Sequence, residues 1–180
     1  EDSGKTWAIS NDEQGQANDG ATVDETYPGY TGKLKLDNAA EMRHKVLYAT
    51  LMGGGYGVEY YYGYQTEASD LHAQDHRTRE VKFKQAVIAK QLFESLDVKN
   101  MHSMDDITTM EEDYVFGNDE QMVVYMPKGG STNIDLNGLW SVEIMNPITG
   151  EKSLQKSKIR TLISAPDRKQ DWVLVLTKSK

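Results

Sequence analysis

Apolar and polar positions change their spacing near Asp97, and the change separates two stretches of different kind. At the start, the short apolar run Trp7-Ala8-Ile9 passes directly into Ser10-Asn11-Asp12-Glu13-Gln14-Gly15, the pattern of a strand ending in a polar loop. From Gln16 to Leu36 no period is sustained, and the Gly, Asp, Thr and Tyr content predicts a long irregular loop. Met42, Val46 and Ala49, joined by Leu47 and Leu51, then fall on one helical face. Asp37 or Asn38 is placed to cap that helix, Glu41 stands three residues after Asn38, and Gly53-Gly54-Gly55 ends it. The aromatic and β-branched stretch Tyr56 to Tyr64 predicts an extended strand. A second helix is predicted from about His76 to Leu96, on Val81, Ile88 and Leu92 with Phe83, Val87, Phe93 and Leu96 beside them. Strand, loop, helix, strand, loop, helix is the order of βα units with a parallel sheet.

Past Asp97 the period becomes two. Lys99 to Glu112 has little pattern and serves as a joint. Met122, Val124 and Met126 alternate with Val123 and Tyr125; Trp140, Val142 and Ile144 alternate with Ser141, Glu143 and Met145; Trp172, Leu174 and Leu176 alternate in the last run. Pro127-Lys128-Gly129-Gly130 and Asn146-Pro147-Ile148-Thr149-Gly150 read as turns, and Ile159 and Ile163 mark a further strand. Short strands at such intervals predict a small antiparallel β-sandwich. The expected domains are thus 1–97, of α/β type, and 98–180, all-β. Two βα units cannot bury a parallel sheet or close a barrel by themselves, because each strand needs neighbours for its peptide groups. The first domain is therefore expected to require further strands, and the opening at Glu1 reads as internal to a longer protein.

Charge narrows the partners. The 180 residues carry a formal net charge of -8 and a pI near 5.0, the wrong sign for nucleic acid or an anionic membrane surface. No apolar run approaches the roughly 20 residues that span a bilayer. The absence of cysteine excludes disulfides and thiolate metal sites. Within the first thirty residues Glu1, Asp2, Asp12, Glu13, Asp19, Asp24 and Glu25 face Lys5 alone, a concentration of carboxylates that suits sugar hydroxyls or metal ions.

The motifs that carry chemistry resemble a family. Asn11-Asp12-Glu13-Gln14-Gly15, the stretch Leu51-Met52-Gly53-Gly54-Gly55-Tyr56-Gly57-Val58-Glu59-Tyr60-Tyr61-Tyr62-Gly63-Tyr64, and Asp70 to Glu80 are similar to the end of bacterial glycoside hydrolases with an apiosidase-like (β/α)₈ barrel. Val124 to Gly130, Asn146 to Gly150 and Asp171 to Leu174 resemble the collagen-binding-type β-sandwich that follows such barrels. The resemblance implies that the chain holds the last two βα units of a TIM barrel, with Trp7 to Ser10 as strand seven and Tyr56 to Tyr62 as strand eight. It implies a secreted bacterial enzyme acting on plant or algal polysaccharide, with retention, a nucleophile at the end of strand seven where Glu13 stands, and an acid/base on the upstream chain. Active sites of such barrels lie at the C-terminal ends of the strands.

Residue by residue, the alternatives are these. Glycoside hydrolysis needs two carboxyl groups in different protonation states. Asp12 and Glu13, being adjacent, point to opposite faces of a strand, so only one faces the site; Glu13 is favoured under the resemblance and Asp12 is the substitute. A solvated acidic strand end is the plain reading of the pair. Glu59 lies in an aromatic strand, where a carboxylate needs a partner, and reads either as a substrate contact or as half of a structural ion pair. Tyr60, Tyr61, Tyr62 and Tyr64 could stack on a sugar, although alternation lets only half of them face the lumen. Asp70 and His72 read as rim contacts to substrate, with Asp75 as a helix cap, in preference to a metal site built with His76. Arg77 and Arg79 are expected to pair with nearby acids; His44 and His102 have no assigned chemistry. Trp140 and Trp172 are expected in the sandwich core, and no cofactor is implied. The second hypothesis is a carbohydrate-binding protein with a degenerate barrel, and the third a supporting module for another catalytic chain.

Overall fold

The computed structural model describes residues 7–12, 20–27, 38–63, 76–155 and 158–179. The chain forms two compact units, one of Glu1–Leu51 with Gly55–Ala86 and one of Met52–Gly54 with Val87–Lys180.

In the first unit, β1 (Ser10–Asn11) pairs in parallel with β2 (Gly57–Val58), Ser10 opposite Gly57 and Asn11 opposite Val58. Parallel neighbours require a long crossover. Here it contains one continuous helical run: α1 (Ala39–Glu41), a π-helical segment Met42–Tyr48, and α2 (Ala49–Met52). In the π segment the Ala49 N–H reaches the His44 carbonyl five residues back, a winding that is rare outside single turns. Asn38 precedes the helix without capping it by its side chain. Its Oδ1 instead accepts from the Thr22 N–H and hydroxyl at 3.1 and 3.0 Å, and its Nδ2 donates to the Gly20 carbonyl at 2.7 Å. The competing bonds to the loop at 20–22 displace the expected capping box.

Helix α3 (Glu80–Glu94) follows a 3₁₀ turn, His76–Arg79. Its buried positions are Lys82, Gln85, Ala89 and Leu92, continuous with Arg79, a helical stripe rotated from the one the apolar residues mark. Val87, counted with the apolar face, is 49% exposed. The polar members of the stripe stay buried because each has a specific partner, described below.

The second unit is a six-stranded antiparallel sheet in the order β3-β4-β5-β10-β7-β8, with a separate ribbon of β6 and β9. These strands are β3 (His102–Ser103), β4 (Tyr114–Gly117), β5 (Gln121–Met126), β6 (Ser131–Asn133), β7 (Trp140–Met145), β8 (Lys152–Leu154), β9 (Leu162–Ser164) and β10 (Trp172–Lys178). Strand β10 is central: Leu174 lies opposite Val124 on one side and Ile144 on the other. One sheet face joins Val115, Met122, Val124, Met126, Trp140, Val142, Leu174 and Leu176 to Ile134, Leu136, Ile159 and Ile163 in the main core. Burial of each large side chain there contributes about 1.5–3 kcal/mol. The opposite face is also covered, since Val123, Tyr125, Val173 and Val175 are buried. On the helical part of this unit, Phe93 packs against Phe116 at a ring separation of 6.0 Å, and Ile88 lies over Gly150. The predicted turn at 146–150 is held by the Asn146 side chain, whose oxygen accepts the N–H groups of Ile148 and Thr149. Trp140 is 1% exposed, whereas Trp172 is only partly buried against the core.

Among the described residues no helix is long and apolar enough to cross a membrane.

Candidate active site

Two alternations meet at the C-terminal ends of the parallel strands. On β1, Asn11 turns its amide to the Thr50 hydroxyl of α2 at 3.2 Å, so its neighbours Ser10 and Asp12 take the other face, where the Ser10 hydroxyl donates to Asp12 Oδ1 at 3.0 Å. Beyond β2, Val58, Tyr60 and Tyr62 all pack into the cluster of Ala21, Met42 and Val46. Glu59 and Tyr61 therefore share the face that Asp12 occupies. The Glu59 N–H donates to the Asn11 carbonyl at 2.9 Å, and the Asn11–Val58 register brings Asp12 beside Glu59 one step further on. Adjacent strands lie about 4.8 Å apart, so both carboxylates sit at one strand end, exposed and on one side.

The tyrosines take the opposite phase from the one sugar stacking asks of them. Tyr60 lies 5.6 Å from the Phe83 ring and Tyr62 lies 6.5 Å from it, with the Arg79 guanidinium 4.3 Å above the Tyr62 ring. Burial pushes the Tyr60 hydroxyl up to about 12, against the opposing pull of the Arg43 charge. These rings belong to the layer under the helices because Val58, two residues before Tyr60, is committed to the same cluster. Tyr61 is the aromatic residue on the carboxylate face, and the same strict alternation that identifies it was available in the sequence once Val58 was given its phase. Glu59 is exposed; the ion pair considered for it is not among those of the described residues. Glu13, Tyr64, Asp70, His72 and Asp75 lie outside the described residues. Among the described residues no group of three or more His, Asp or Glu is placed to hold a metal ion.

Behind the strand ends the chain is fixed by buried polar contacts. The Asp24 carboxylate accepts from Lys82 Nζ at 2.8 Å and from the Val81 N–H at 2.7 Å, with Asp24 and Lys82 both 1% exposed. Arg79 Nε donates to the Ala21 carbonyl at 2.9 Å, and Arg43 donates to the Gln85 side chain at 2.9 Å. The Ala21 N–H in turn donates to the Tyr61 carbonyl at 2.6 Å, which ties the segment at 20–22 to the end of the second strand. No sequence rule links Asp24 to Lys82, and this framework went unseen until the fold was known.

The architecture has counterparts. The chain is similar in fold to part of a glycoside hydrolase. One solved glycoside hydrolase superposes with a TM-score of 0.68 at 10% identity, over 89% of this chain and 41% of that one. A glycoside hydrolase family 5 protein from Bacteroides vulgatus superposes with a TM-score of 0.65 at 12% identity, over 78% of this chain and 36% of that one. The chain thus spans about two fifths of the length of these structures. Their likeness implies a partial TIM-barrel-like fold. No protein-family model and no curated protein matches the sequence.

Proposed function

We propose that this chain is part of a glycoside hydrolase that cleaves glycosidic bonds in plant or algal polysaccharides or their fragments. The observation that carries the reading is the convergence of Asp12 and Glu59 at the C-terminal end of a parallel strand pair, the end at which such barrels place their chemistry. In this reading the Asp12-Glu13 dipeptide supplies the carboxylate that attacks the anomeric carbon: the family resemblance favours Glu13 as nucleophile, whereas the face that Asp12 shares with Glu59 favours Asp12. The acid/base comes from upstream barrel strands, and the two-stranded parallel ladder is completed by them. In the same reading Glu59 accepts hydrogen bonds from substrate hydroxyls, Tyr61 offers a ring beside it, and Tyr64, Asp70 and His72 bind substrate as well. The apiosidase-like barrel type and the collagen-binding-type sandwich belong to the same proposal. A polymeric substrate does not enter a bacterial cell, so the enzyme is proposed to act outside the cytoplasm.

A second reading, glycan binding without cleavage, has one observation in its favour. The antiparallel unit carries an open depression of about 690 Å³ in which Ile107 and Ile134 lie among Asp106, Thr108, Thr109, Asn133, Asp135 and Thr161, the latter groups suited to sugar hydroxyls.

The test uses the full-length protein with Glu13→Gln, Asp12→Asn and Glu59→Gln, measuring release of reducing ends and retention on the polysaccharide. Hydrolysis in the parent, abolished in Glu13→Gln or Asp12→Asn while binding persists, supports the enzyme. Binding without hydrolysis in the parent supports the second reading and ends the first.

A further inference from the structure

The open depression of the antiparallel unit lies between the segments 106–109 and 133–135, with Thr161 at its side. Backbone pairing fixes its frame. Thr108 and Ile134 form an antiparallel bridge, flanked by the Thr109 N–H donating to the Asn133 carbonyl at 3.1 Å and the Asp135 N–H donating to the Ile107 carbonyl at 3.0 Å. Across the same segment the Ile134 N–H donates to the Thr161 carbonyl at 2.8 Å. The three stretches are thus tied edge to edge, and side chains along 133–135 alternate between two faces. Ile134 is 1% exposed and belongs to the core, so Asn133 and Asp135, both exposed, turn outward together. Leu162, opposite Asn133 in the β6–β9 ribbon, is 54% exposed.

Folding does not account for the polar groups on this frame. The Thr108 hydroxyl is satisfied locally, by the carbonyls of Asp105 and Met110. The side chains of Asp106, Asn133, Asp135 and Thr161 make no hydrogen bond or ion pair among the described residues. Ionised carboxylates only accept hydrogen bonds, whereas an amide and a hydroxyl both donate and accept. The ligand that matches this set offers several hydroxyl donors on one side, with C–H surface for Ile107 and Leu162. That is the chemistry of a sugar ring. The lining holds no cationic side chain, and its two carboxylates repel an anionic ligand. The open form suits a stretch of polymer laid across the surface.

We propose that the depression is a glycan-holding site of the antiparallel unit, which takes neutral polysaccharide and rejects polymers rich in uronate. The assignment rests on the carbohydrate reading above and adds the class of glycan to it. Asp106 and Asp135 accept from sugar hydroxyls, Asn133 and Thr161 both donate and accept, and Ile107 with Leu162 lies against the ring's C–H face. The site holds the polymer and performs no bond cleavage itself.

Affinity electrophoresis of the full-length protein tests the site, in gels containing arabinoxylan or glucomannan, both neutral, or polygalacturonate, with mobility referred to a polymer-free gel. A neutral polymer should retard the parent and polygalacturonate should not. Asp135→Ala and Asn133→Ala should each lose most of the retardation; both replace exposed side chains, and thermal unfolding checks that the fold is kept. Should either variant not fold, Thr161→Val takes its place. A parent that neither neutral polymer retards, a parent retarded as strongly by polygalacturonate, or undiminished retardation in the variants overturns the site. Release of reducing ends by the parent separates this outcome from the fate of the hydrolase reading. Cleavage with undiminished retardation in the variants overturns the site alone; retardation lost in the variants while the parent cleaves nothing supports the site and ends the hydrolase reading.

Discussion

Lys82 Nζ lies 2.8 Å from Asp24 Oδ1 with both side chains withdrawn from water, and the two residues are far apart in sequence. The pair fastens the segment at 20–24 to the start of α3. Breaking one side leaves a buried charge, which costs about 3–5 kcal/mol. Lys82→Met should lower the stability of the chain by that order in urea titration, and Asp24→Asn combined with it should recover part of the loss. Equal stability of Lys82→Met and the parent would show that the pair contributes nothing.

Gly20 stands in the left-handed region at φ +48°, and a Cβ there would come within 2.4 Å of the Tyr61 carbonyl oxygen. Gly20→Ala should therefore cost roughly 2 kcal/mol through strain and backbone displacement. Under the proposed function, the displaced carbonyl adjoins Glu59 and Tyr61, so glycan affinity in the full-length protein should fall with it, although neither side chain is altered. Calorimetric unfolding and a polysaccharide-retention assay measure the two effects.

Alkaline pH tests the placement of Tyr60. Its hydroxyl is raised above the ordinary value of 10.0 to about 12 by burial, so the folded form keeps a proton that the unfolded chain has lost. Stability should decline as pH rises above about 10 and stop declining beyond about 12. Tyr60→Phe should flatten this stretch of the profile, and tyrosinate absorbance near alkaline pH should lose one late-titrating group.

The phase of the tyrosines separates folding from recognition. Tyr62→Ala removes the contacts with Phe83 and Arg79 and should destabilise the chain by about 2 kcal/mol. Tyr61→Ala should leave unfolding within about 0.5 kcal/mol of the parent and, under the proposed function, weaken binding of oligosaccharide. Titration calorimetry beside thermal unfolding distinguishes the two; reversed effects would place Tyr62 on the substrate side.

Much of the architecture was legible where a single period governed the chain. The helix from Ala39 to Met52 and its glycine stop followed from the apolar spacing of Met42, Val46 and Ala49, and the alternation of Met122, Val124 and Met126 announced β5. Periodicity could not reveal that both faces of β5 are buried, because Val123 and Tyr125 look like the solvated side of a half-buried strand until the residues covering them are known. Nor could it phase α3: Lys82 and Gln85 occupy the buried stripe only because partners distant in sequence neutralise them. At the candidate site the sequence pointed to the acidic strand end and to Glu59, and the structure places Asp12 and Glu59 at one strand end. Which residues share a face depended on Asn11 turning to Thr50 and on Val58 joining the inner cluster, both long-range contacts.

Gly150, at φ +77°, lies where an added Cβ would stand 3.4 Å from Ile88. The pentapeptide Asn146 to Gly150 is thus shaped as a seat for a helix: asparagine to tie the loop, glycine to take the left-handed backbone beneath Ile88. A pattern of this kind should persist wherever the same helix rests on the same bend, whatever reaction the molecule performs. Its recurrence in another sequence would be evidence of shared carpentry, which by itself carries no message about the reaction performed.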